Sequence, residues 1–276
     1  MKVSVIVAVY RDVESLSIIV EALRHQTYRD FELVVAEDCE YPEMKAYVES
    51  IEDINVVHTS QEDLGVRKSR SQNNGILASS GEYLIFIDGD CIPYSTFIER
   101  HVALAEQRRV VSGRRVNLGP KFAEKVRTNK LSPLQLEKNY LWYFPFVARD
   151  AHERHAESGF GFDPHGFIYK QFLQNRASST DILGCNFSCY KEDMVAINGF
   201  DEGYGPSPLS DDTDLQWRFV GMGYEIVSCK NVANIFHLYH SRSAKKNAKS
   251  AETLWQMFYA NQKAEKYVCE KGLNTH

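Results

Sequence analysis

Three groups of neighbouring carboxylates in this sequence could do chemistry. Glu37-Asp38 and Asp88-Gly89-Asp90 each follow an apolar, strand-like run, and Asp211-Asp212-Thr213-Asp214 precedes a run with helical spacing. Two carboxylates on a tight glycine turn at the end of a strand offer the oxygen ligands that suit Mg²⁺ or Mn²⁺. A lone Asp-x-Asp is usually a solvated turn, so the upstream strand-end pair adds weight to the metal interpretation. The third group also fits an ordinary helix N-terminus, where the dipole favours acidic side chains.

Two histidines near the end of the chain could complete such a metal site. His237 and His240 are three residues apart in the apolar segment Phe236-His237-Leu238-Tyr239-His240. An isolated histidine in such company is more often structural. With an Asp-x-Asp turn upstream, a metal ligand is the better interpretation.

The elements that must position these residues alternate between strands and helices in the first half of the chain. β-Branched runs predict strands at 3–9, 31–36, 54–58 and 83–87, and helical spacing predicts helices at 12–25, 44–51 and 67–79. This alternation predicts an α/β fold with a mostly parallel central sheet flanked by helices. Ligands of such sheets bind beyond the carboxyl ends of the strands, where the first two acidic groups fall.

The second half is less regular. A helix is predicted at 94–106 and a strand at 109–116, followed by a stretch at 118–180 that we expect to be an irregular, aromatic-rich insertion. The nine aromatic rings between residues 142 and 172 have two interpretations, namely exposed platforms for sugars or a satellite hydrophobic cluster under a long loop. The later predicted elements are strands at 183–190, 224–228 and 233–239 and helices at 191–197, 211–220 and 252–268.

Composition and missing motifs exclude several classes of protein. The net charge of −5 argues against a nucleic-acid partner. The six cysteines form no CxxC pair and predict reduced, mostly buried thiols in a cytoplasmic protein. The sequence contains no run of about 18 apolar residues, so no membrane-spanning helix is predicted. A GxGxxG turn after the first strand, a Walker A loop and a GxSxG elbow are all absent from the sequence, which argues against the folds that they mark.

The order of motifs between about residues 2 and 240 resembles that of the inverting glycosyltransferases of family 2, which have the GT-A fold. The segments that carry this resemblance are 3–10, 26–35, 73–76, 81–90, 184–186, 198–202 and 211–215. The acceptor-side half is also similar to galactosyl- and N-acetylgalactosaminyltransferases. The combined order is specific, although each segment alone is not.

Three positions depart from the family pattern. The usual Asp-Asp-Gly-Ser after the second strand is Glu37-Asp38-Cys39-Glu40, the usual arginine before the helical asparagine is Gln72, and the usual Glu-Asp of the base motif is Asp211-Asp212. Arg67 or Arg70 is expected to replace the missing arginine. The third departure keeps a carboxylate at the position of the base.

The resemblance implies one GT-A domain over residues 1–248, with a nucleotide-sugar half at 1–117, the insertion at 118–180, an acceptor half at 181–248 and a helical extension at 249–276. It implies Asp212 as the catalytic base, with Asp211 as the next candidate. Asp90, His237 and Asp88 are the implied ligands of Mn²⁺ or Mg²⁺, and His240 is the alternative to His237. The residues implied to bind the nucleotide sugar are Val9, Tyr10, Asp38, Arg67, Arg70, Asn73, Asp88, Gly89, Asp90 and Gly184.

The activity so implied is transfer of a sugar, with inversion, from a UDP-sugar to a hydroxyl of a glycan or glycolipid acceptor, with Asp38 reading the uracil ring. Two alternatives remain. A metal-dependent nucleotide-sugar hydrolase or nucleotidyltransferase would use the same carboxylates, and a carbohydrate-binding module without catalysis would use the aromatic-rich insertion. The basic segment 241–250 is expected to be a lid over the diphosphate, and contact with anionic lipid at the inner face of the membrane competes with that interpretation.

Overall fold

The structure is a computed structural model. It describes residues 1–153, 155–173, 181–205, 209–240 and 248–276. Residues 241–247, most of the segment expected to be a lid or a lipid contact, lie outside the described residues, so that expectation stays a prediction.

Ten strands and ten α-helices make up the described part of the chain. The strands are β1 (Val3–Val9), β2 (Phe31–Glu37), β3 (Val56–Thr59), β4 (Tyr83–Asp88), β5 (Cys91–Pro93), β6 (Arg109–Ser112), β7 (Arg115–Asn117), β8 (Asn186–Tyr190), β9 (Glu225–Ser228) and β10 (Ile235–His237). The helices are α1 (Val13–Arg24), α2 (Pro42–Glu49), α3 (Lys68–Ala78), α4 (Phe97–Leu104), α5 (Pro120–Arg127), α6 (Pro133–Lys138), α7 (Tyr140–Asp150), α8 (Lys191–Ala196), α9 (Thr213–Gly221) and α10 (Ala248–Lys263).

The main sheet has seven strands in the order β3-β2-β1-β4-β8-β6-β9. Its first four strands pair in parallel, which confirms the prediction for the first half of the chain. β8 runs antiparallel to both of its neighbours and joins the second half to the same sheet. The α/β class with a mostly parallel sheet is therefore confirmed.

The central strands are buried on both faces because helices cover each side of the sheet. Val5 and Val7 of β1 belong to the same buried cluster as Leu16 of α1. Ile6, between them, packs in a second cluster with Ile76 of α3. Successive side chains of a strand point to opposite faces, so an uninterrupted apolar run suits this doubly covered position.

A small second sheet has three strands in the order β5-β10-β7. The sequence predicted one strand at 109–116, whereas the structure divides it into β6 and β7, which belong to different sheets. The break falls at Gly113, where an added Cβ would lie 2.2 Å from Asn186 Nδ2. β5 was not predicted; it pairs antiparallel with β10 and places Cys91 opposite His237.

No helix was predicted within the partly ordered insertion expected at 118–180, whereas α5, α6 and α7 lie there. Two of these helices begin with a proline in the first turn, where its missing N–H costs nothing. Ser132 caps α6 by accepting a hydrogen bond from the Gln135 N–H. Some of the aromatic rings are buried, such as Tyr169, and others are exposed, such as Trp142 and Phe146.

All six cysteines are free and buried, as predicted. Among the residues that the structure describes, no helix combines the length and the apolar character that crossing a membrane requires.

Candidate active site

The carboxyl ends of β1, β2 and β4 form the floor of the site. These strands are parallel and in register, so that Ala8 pairs with both Ala36 and Asp88. The loops that follow them consequently meet at one edge. A cavity of about 330 Å³ lies there, and it is lined by Ala8, Val9, Tyr10, Asp12, Asp38, Val66, Lys68, Ser71, Asp88, Gly89 and Asp90.

A second cavity, of about 420 Å³, shares Asp88 and Asp90 with the first. Its other walls come from β7 and the residue after it, from the loop after α7 and from the end of β10. These residues are Arg115, Asn117, Leu118, His152, Glu153, His237, Tyr239 and His240. The Asp-x-Asp turn therefore stands between two cavities, one over the sheet edge and one beneath the small sheet.

Asp90 and the two histidines form a compact cluster of possible metal ligands. The Nε2 atoms of His237 and His240 lie 3.2 and 3.3 Å from Asp90 Oδ2. One ligand atom from each of the three residues lies within 4.8 Å of the others. The Leu238 N–H donates to the Asp90 carbonyl at 2.9 Å, which fixes the turn against β10. The structure thus brings both predicted histidines to Asp90, and the two distances do not favour one histidine over the other as the ligand.

This donor set fits a divalent cation. An ion with ligand bonds of about 2.0–2.2 Å needs its donors about 3 Å apart, close to the observed spacing. Burial alone would raise the pKa of Asp90, but the His237 hydrogen bond and the neighbouring imidazoles outweigh it and hold that pKa below its usual value. Asp90 therefore offers an ionised carboxylate to a cation over the physiological range. Two imidazole nitrogens suit Mn²⁺ better than Mg²⁺, which prefers an all-oxygen shell.

A second pair of carboxylates, Asp211 and Asp212, lies at the N-terminus of α9. The Gly184 N–H donates a short hydrogen bond to Asp212 Oδ1. A Cβ at Gly184 would lie 2.8 Å from Asp211 Oδ2 and 3.0 Å from Asp212 Oδ1. Only a glycine lets the chain pass this close to both carboxylates, so the Gly184 motif has a steric reason.

The two neighbouring carboxylates have different surroundings. Burial and the charge of Asp211 raise the pKa of Asp212 to about 6, although the Gly184 hydrogen bond opposes the shift. Asp211 instead lies 2.7 Å, through Oδ2, from the ammonium of Lys68. Asp212 thus has the pKa of a general base that works near neutral pH, while Asp211 is held in an ion pair.

Lys68 joins this pair to the Asp-x-Asp turn. Its Nζ lies 2.6 Å from Asp88 Oδ1 and 2.7 Å from Asp211 Oδ2. Lys68 begins α3 and lines the first cavity. A hydrogen bond between the hydroxyls of Ser69 and Ser210 ties the start of α3 to the segment before α9. Lys68 was not singled out from the sequence.

Asp38 lies at the far wall of the first cavity, where both of its oxygens are engaged. Gln61 Nε2 donates to Oδ1 at 2.6 Å, and the Arg67 N–H donates to Oδ2 at 2.7 Å. Burial raises the pKa of Asp38 despite these bonds. Tyr10 stands at the mouth of the cavity with about half of its side chain exposed, and its hydroxyl donates to Asp63 at 3.2 Å.

Four predicted binding residues, Arg67, Arg70, Asn73 and Gly184, lie outside both cavity linings. Gly184 lies against Asp211 and Asp212. Asn73 is fully buried, and its amide bonds to the Phe200 backbone in both directions and to Glu202 at 2.9 Å. Arg70 forms an ion pair with Glu202 at 3.3 Å. The Arg67 guanidinium bonds to the Glu62 carbonyl. These side chains hold the loop at 198–202 and the approach to α3, so we assign them positioning roles rather than contact with a ligand.

Several lining residues were not singled out from the sequence. Besides Lys68 they include Arg115, Asn117, His152 and Glu153. Asn117 Nδ2 donates to Glu153 Oε2 at 3.2 Å, and the His152 ring contacts that of Tyr239 with centroids 5.1 Å apart. The four residues other than Lys68 lie in β7 or just after α7. Neither element was predicted as such, and recognising them in the sequence could have pointed to these residues.

Two family models match the chain. The model of glycosyl transferase family 2 matches residues 4–174, more than half of the chain. The model described as the N-terminal domain of galactosyltransferase matches residues 165–241. Together they extend from β1 to the residues after β10, and thus include all three carboxylate groups and the two histidines.

Curated relatives match shorter stretches. An uncharacterized glycosyltransferase of Rickettsia bellii is 25% identical over 136 residues, 48% of this chain and 19% of that protein. A cholesterol galactosyltransferase of Borreliella burgdorferi is 30% identical over 102 residues, 36% of this chain and 27% of that protein. The glycosyltransferase AglE of Haloferax volcanii is 32% identical over 106 residues, 37% of this chain and 34% of that protein. The matched stretches span about a third or less of each relative.

Solved structures share the fold. The mannosyltransferase PcManGT from Pyrobaculum calidifontis, in complex with GDP-Man and Mn²⁺, has a TM-score of 0.58 at 16% identity and covers 95% of this chain and 64% of its own. Residues 1–349 of TarS from S. aureus, in complex with UDP-GlcNAc, have a TM-score of 0.59 at 14% identity, with 94% and 66% covered. At these identities the similarity shows the GT-A fold alone.

Proposed function

The chain belongs to glycosyl transferase family 2, and from that premise we propose that it transfers a sugar, with inversion, from a UDP-sugar to a hydroxyl of a glycan or glycolipid. One observation carries the proposal. The Asp-x-Asp turn contributes Asp90 to a cluster of possible metal ligands, and Lys68 links its Asp88 to Asp211, the neighbour of a carboxylate whose pKa is raised to about 6. A glycosyl transfer needs a cation at the leaving diphosphate and a base at the attacking hydroxyl. We further propose that residues 1–248 work as one domain, since both halves contribute strands to the main sheet.

The nucleotide is proposed to bind in the first cavity, over the ends of β1 and β2. Asp38 is placed to accept a hydrogen bond from the uracil N–H, and its two bonds to Gln61 and Arg67 hold it in that orientation. The half-exposed ring of Tyr10 can lie against a base at the cavity mouth. Since the two structural neighbours were solved with GDP-Man and UDP-GlcNAc, the choice of base rests on Asp38.

Asp90, His237 and His240 are proposed to hold Mn²⁺, with Asp88 on the other side of the turn. When bound, the ion would stabilise the negative charge of the departing diphosphate. Lys68 lines the first cavity beside Asp88, where its positive charge is proposed to meet a diphosphate oxygen. Gly89 keeps the turn free of a side chain between these groups.

Asp212 is proposed as the general base. The acceptor hydroxyl oxygen forms a bond to the anomeric carbon while the bond from that carbon to the diphosphate oxygen breaks, and the hydroxyl proton passes to Asp212. The Gly184 N–H fixes one carboxylate oxygen of Asp212, which leaves the other to face the proton. Asp211 cannot serve as readily because Lys68 holds it in an ion pair.

The test is a panel of nucleotide sugars with Mn²⁺, scored for nucleotide release and for glycosylated product. UDP-galactose is the first donor to test, because the galactosyltransferase model matches residues 165–241. Lipid acceptors with a free hydroxyl belong in the panel, since one relative is named a cholesterol galactosyltransferase. Free sugar without a glycosylated acceptor would instead support the hydrolase, and binding without turnover would support the carbohydrate-binding module.

A further inference from the structure

A large cleft outside the two cavities lies between α5 and α7. Its volume is about 810 Å³, and it is lined by Lys121, Phe122, Lys125, Trp142, Tyr143, Phe146, Arg149, Asp150, Ala151 and His152. We call it the α5–α7 cleft. Its lining combines aromatic rings with cationic side chains, whereas the two cavities of the candidate active site are lined mainly by carboxylates, histidines and small residues.

The aromatic side of the cleft is one face of α7. Trp142, Phe146 and Arg149 are spaced by four and three residues, so they project from the same side of the helix. Their exposure is unusual for apolar side chains, since Trp142 is 78% and Phe146 65% exposed, and the adjacent Leu141 is 67% exposed. Such a patch of large apolar side chains on a surface helix marks a site of interaction.

The charged side of the cleft is positive. Lys121 and Lys125 come from α5 and Arg149 from α7. The one carboxylate in the lining, Asp150, is directed to the protein backbone, where it accepts a hydrogen bond from the Phe122 N–H at 3.0 Å. Lys125 lies 5.0 Å from the centroid of the Phe122 ring. Three cations therefore flank exposed aromatic rings, with one carboxylate already engaged.

We propose that the α5–α7 cleft docks the protein onto the surface of an anionic phospholipid bilayer. Tryptophan and phenylalanine side chains enter the boundary between headgroups and acyl chains, and lysine and arginine side chains meet the lipid phosphates. A second copy of this chain fits the cleft less well. A symmetric dimer through this surface would bring two identical positive patches together.

Docking at this surface would place the active site beside the lipid. His152 lines both the α5–α7 cleft and the second cavity, which contains Asp90 and His237. A protein seated on its α7 face would then present that cavity near the bilayer surface, where the hydroxyl of a glycolipid lies. This consequence rests on the proposed function, whereas the docking itself does not.

The experiment is co-sedimentation of the full chain with vesicles of phosphatidylcholine alone and with 30% phosphatidylglycerol, a vesicle composition of about physiological charge, without donor or metal. We expect binding to the anionic vesicles that weakens with salt. Lys121→Gln with Lys125→Gln should weaken it about 25-fold, since each cation near an anionic leaflet contributes about fivefold. Trp142→Ala with Phe146→Ala should weaken it at least about tenfold.

Matched controls come from other exposed surfaces. Lys45→Gln with Lys263→Gln removes two exposed cations from α2 and α10, and Val195→Ala with Val220→Ala removes exposed apolar side chains from α8 and α9. Both controls should bind as the parent does. Equal loss in the cleft and control variants, or no binding to anionic vesicles, would overturn the proposal. Concentration-dependent dimerisation that Trp142→Ala abolishes, without vesicle binding, would assign the cleft to a second copy.

Docking and catalysis fail separately in this design. The cleft substitutions avoid every residue placed in the candidate active site, so release of UDP with a water-soluble acceptor should stay within about twofold of the parent. Vesicle binding by a chain that releases no nucleotide would leave docking intact and remove the proposed function. Nucleotide release by a chain that does not bind vesicles would leave the proposed function intact and remove docking.

Discussion

Asp90 and Asp212 are both partly buried aspartates at the candidate active site, yet their surroundings shift their pKa values in opposite directions. Asp90 lies 3.2–3.3 Å from two imidazoles, which hold its pKa below its usual value. Asp212 lies beside another carboxylate, and burial together with that charge raises its pKa to about 6. One residue type is thereby suited to hold a cation in one place and to take a proton in the other.

The difference follows from the elements that carry the two residues. Asp90 follows a strand of the main sheet and meets histidines on and just after β10, which arrive from the small sheet. Asp212 precedes α9, and Gly184 lets two carboxylates approach the same stretch of backbone. Lys68 stands between them and engages Asp211 rather than Asp212. Burial raises the pKa of both carboxylates, and their neighbouring side chains decide the net direction of each shift.

Asp212→Asn tests the proton-accepting side of this comparison and should have the largest effect. An amide cannot accept the proton, so the turnover number should fall about 10²–10⁴-fold, the range expected for loss of a general base. UDP binding, measured by calorimetry, should stay unchanged because Asp212 is not part of the first cavity. Asp211→Asn is the matched control and should cost less. A greater loss with Asp211→Asn would make Asp211 the base.

Removing the metal ligands tests the cation-holding side. Excess chelator should abolish transfer, and Mn²⁺ should restore it. His237→Ala and His240→Ala should each raise the Mn²⁺ concentration for half-maximal rate at least about 100-fold, since even the loss of an outer-sphere partner costs about 10–100-fold in metal affinity. His152→Ala, in the same cavity but outside the cluster, is the control. Full activity in chelator would contradict the assignment.

The sequence predicted the cation-holding side of this comparison, around Asp90, more fully than the proton-accepting side, around Asp212. Asp88, Asp90 and Asp38 follow buried apolar runs in a parallel α/β pattern, and that pattern alone sends their side chains to one edge of the sheet. The histidines were singled out by their spacing in an apolar segment downstream of the Asp-x-Asp turn, and Asp212 through motif order. The roles that now distinguish Asp211 from Asp212 depend on Lys68, more than 140 positions away from them along the chain.

What the sequence did not predict depends on contacts between distant segments. Three basic residues, Arg67, Lys68 and Arg70, stand together at the start of α3, and no local pattern tells which of them reaches the carboxylates. The helices of the insertion were missed although Ser132-Pro133 carries an N-terminal capping signal. The clustered aromatic residues predicted a partly ordered insertion instead. Neither the helices nor the α5–α7 cleft between them was therefore predicted.

The pH dependence of turnover should respond to the two charges beside Asp212. Below about pH 6, kcat/KM should fall about tenfold per pH unit as Asp212 becomes protonated. Asp211→Asn removes a negative charge and should move this limb to lower pH. Lys68→Met removes a positive charge and should move it to higher pH. The measurement is kcat/KM from about pH 4.5 to 8 at saturating Mn²⁺. Shifts in the same direction for both variants would contradict the electrostatic account.

The smallest effect is on stability, and it should have opposite signs for the two aspartates. The pKa of Asp212 is raised to about 6, against about 3.9 in an unfolded chain. Between these values the folded state binds more protons than the unfolded state. Stability therefore falls as the pH rises from about 4 to about 6, and the whole cost is present above that range.

Asp212→Asn should accordingly stabilise the protein at pH 7.5. A shift of about two pKa units corresponds to at most about 3 kcal/mol, and partial exposure of the side chain reduces the expected gain to about 1–2 kcal/mol. The gain should vanish near about pH 4, where the aspartate is already protonated.

Asp90→Asn should destabilise the metal-free protein, since two imidazoles lose their carboxylate partner. Urea unfolding in chelator, at both pH values, measures all of these changes. If both substitutions shifted the unfolding midpoint in the same direction, the opposite surroundings of the two carboxylates would not account for their pKa values.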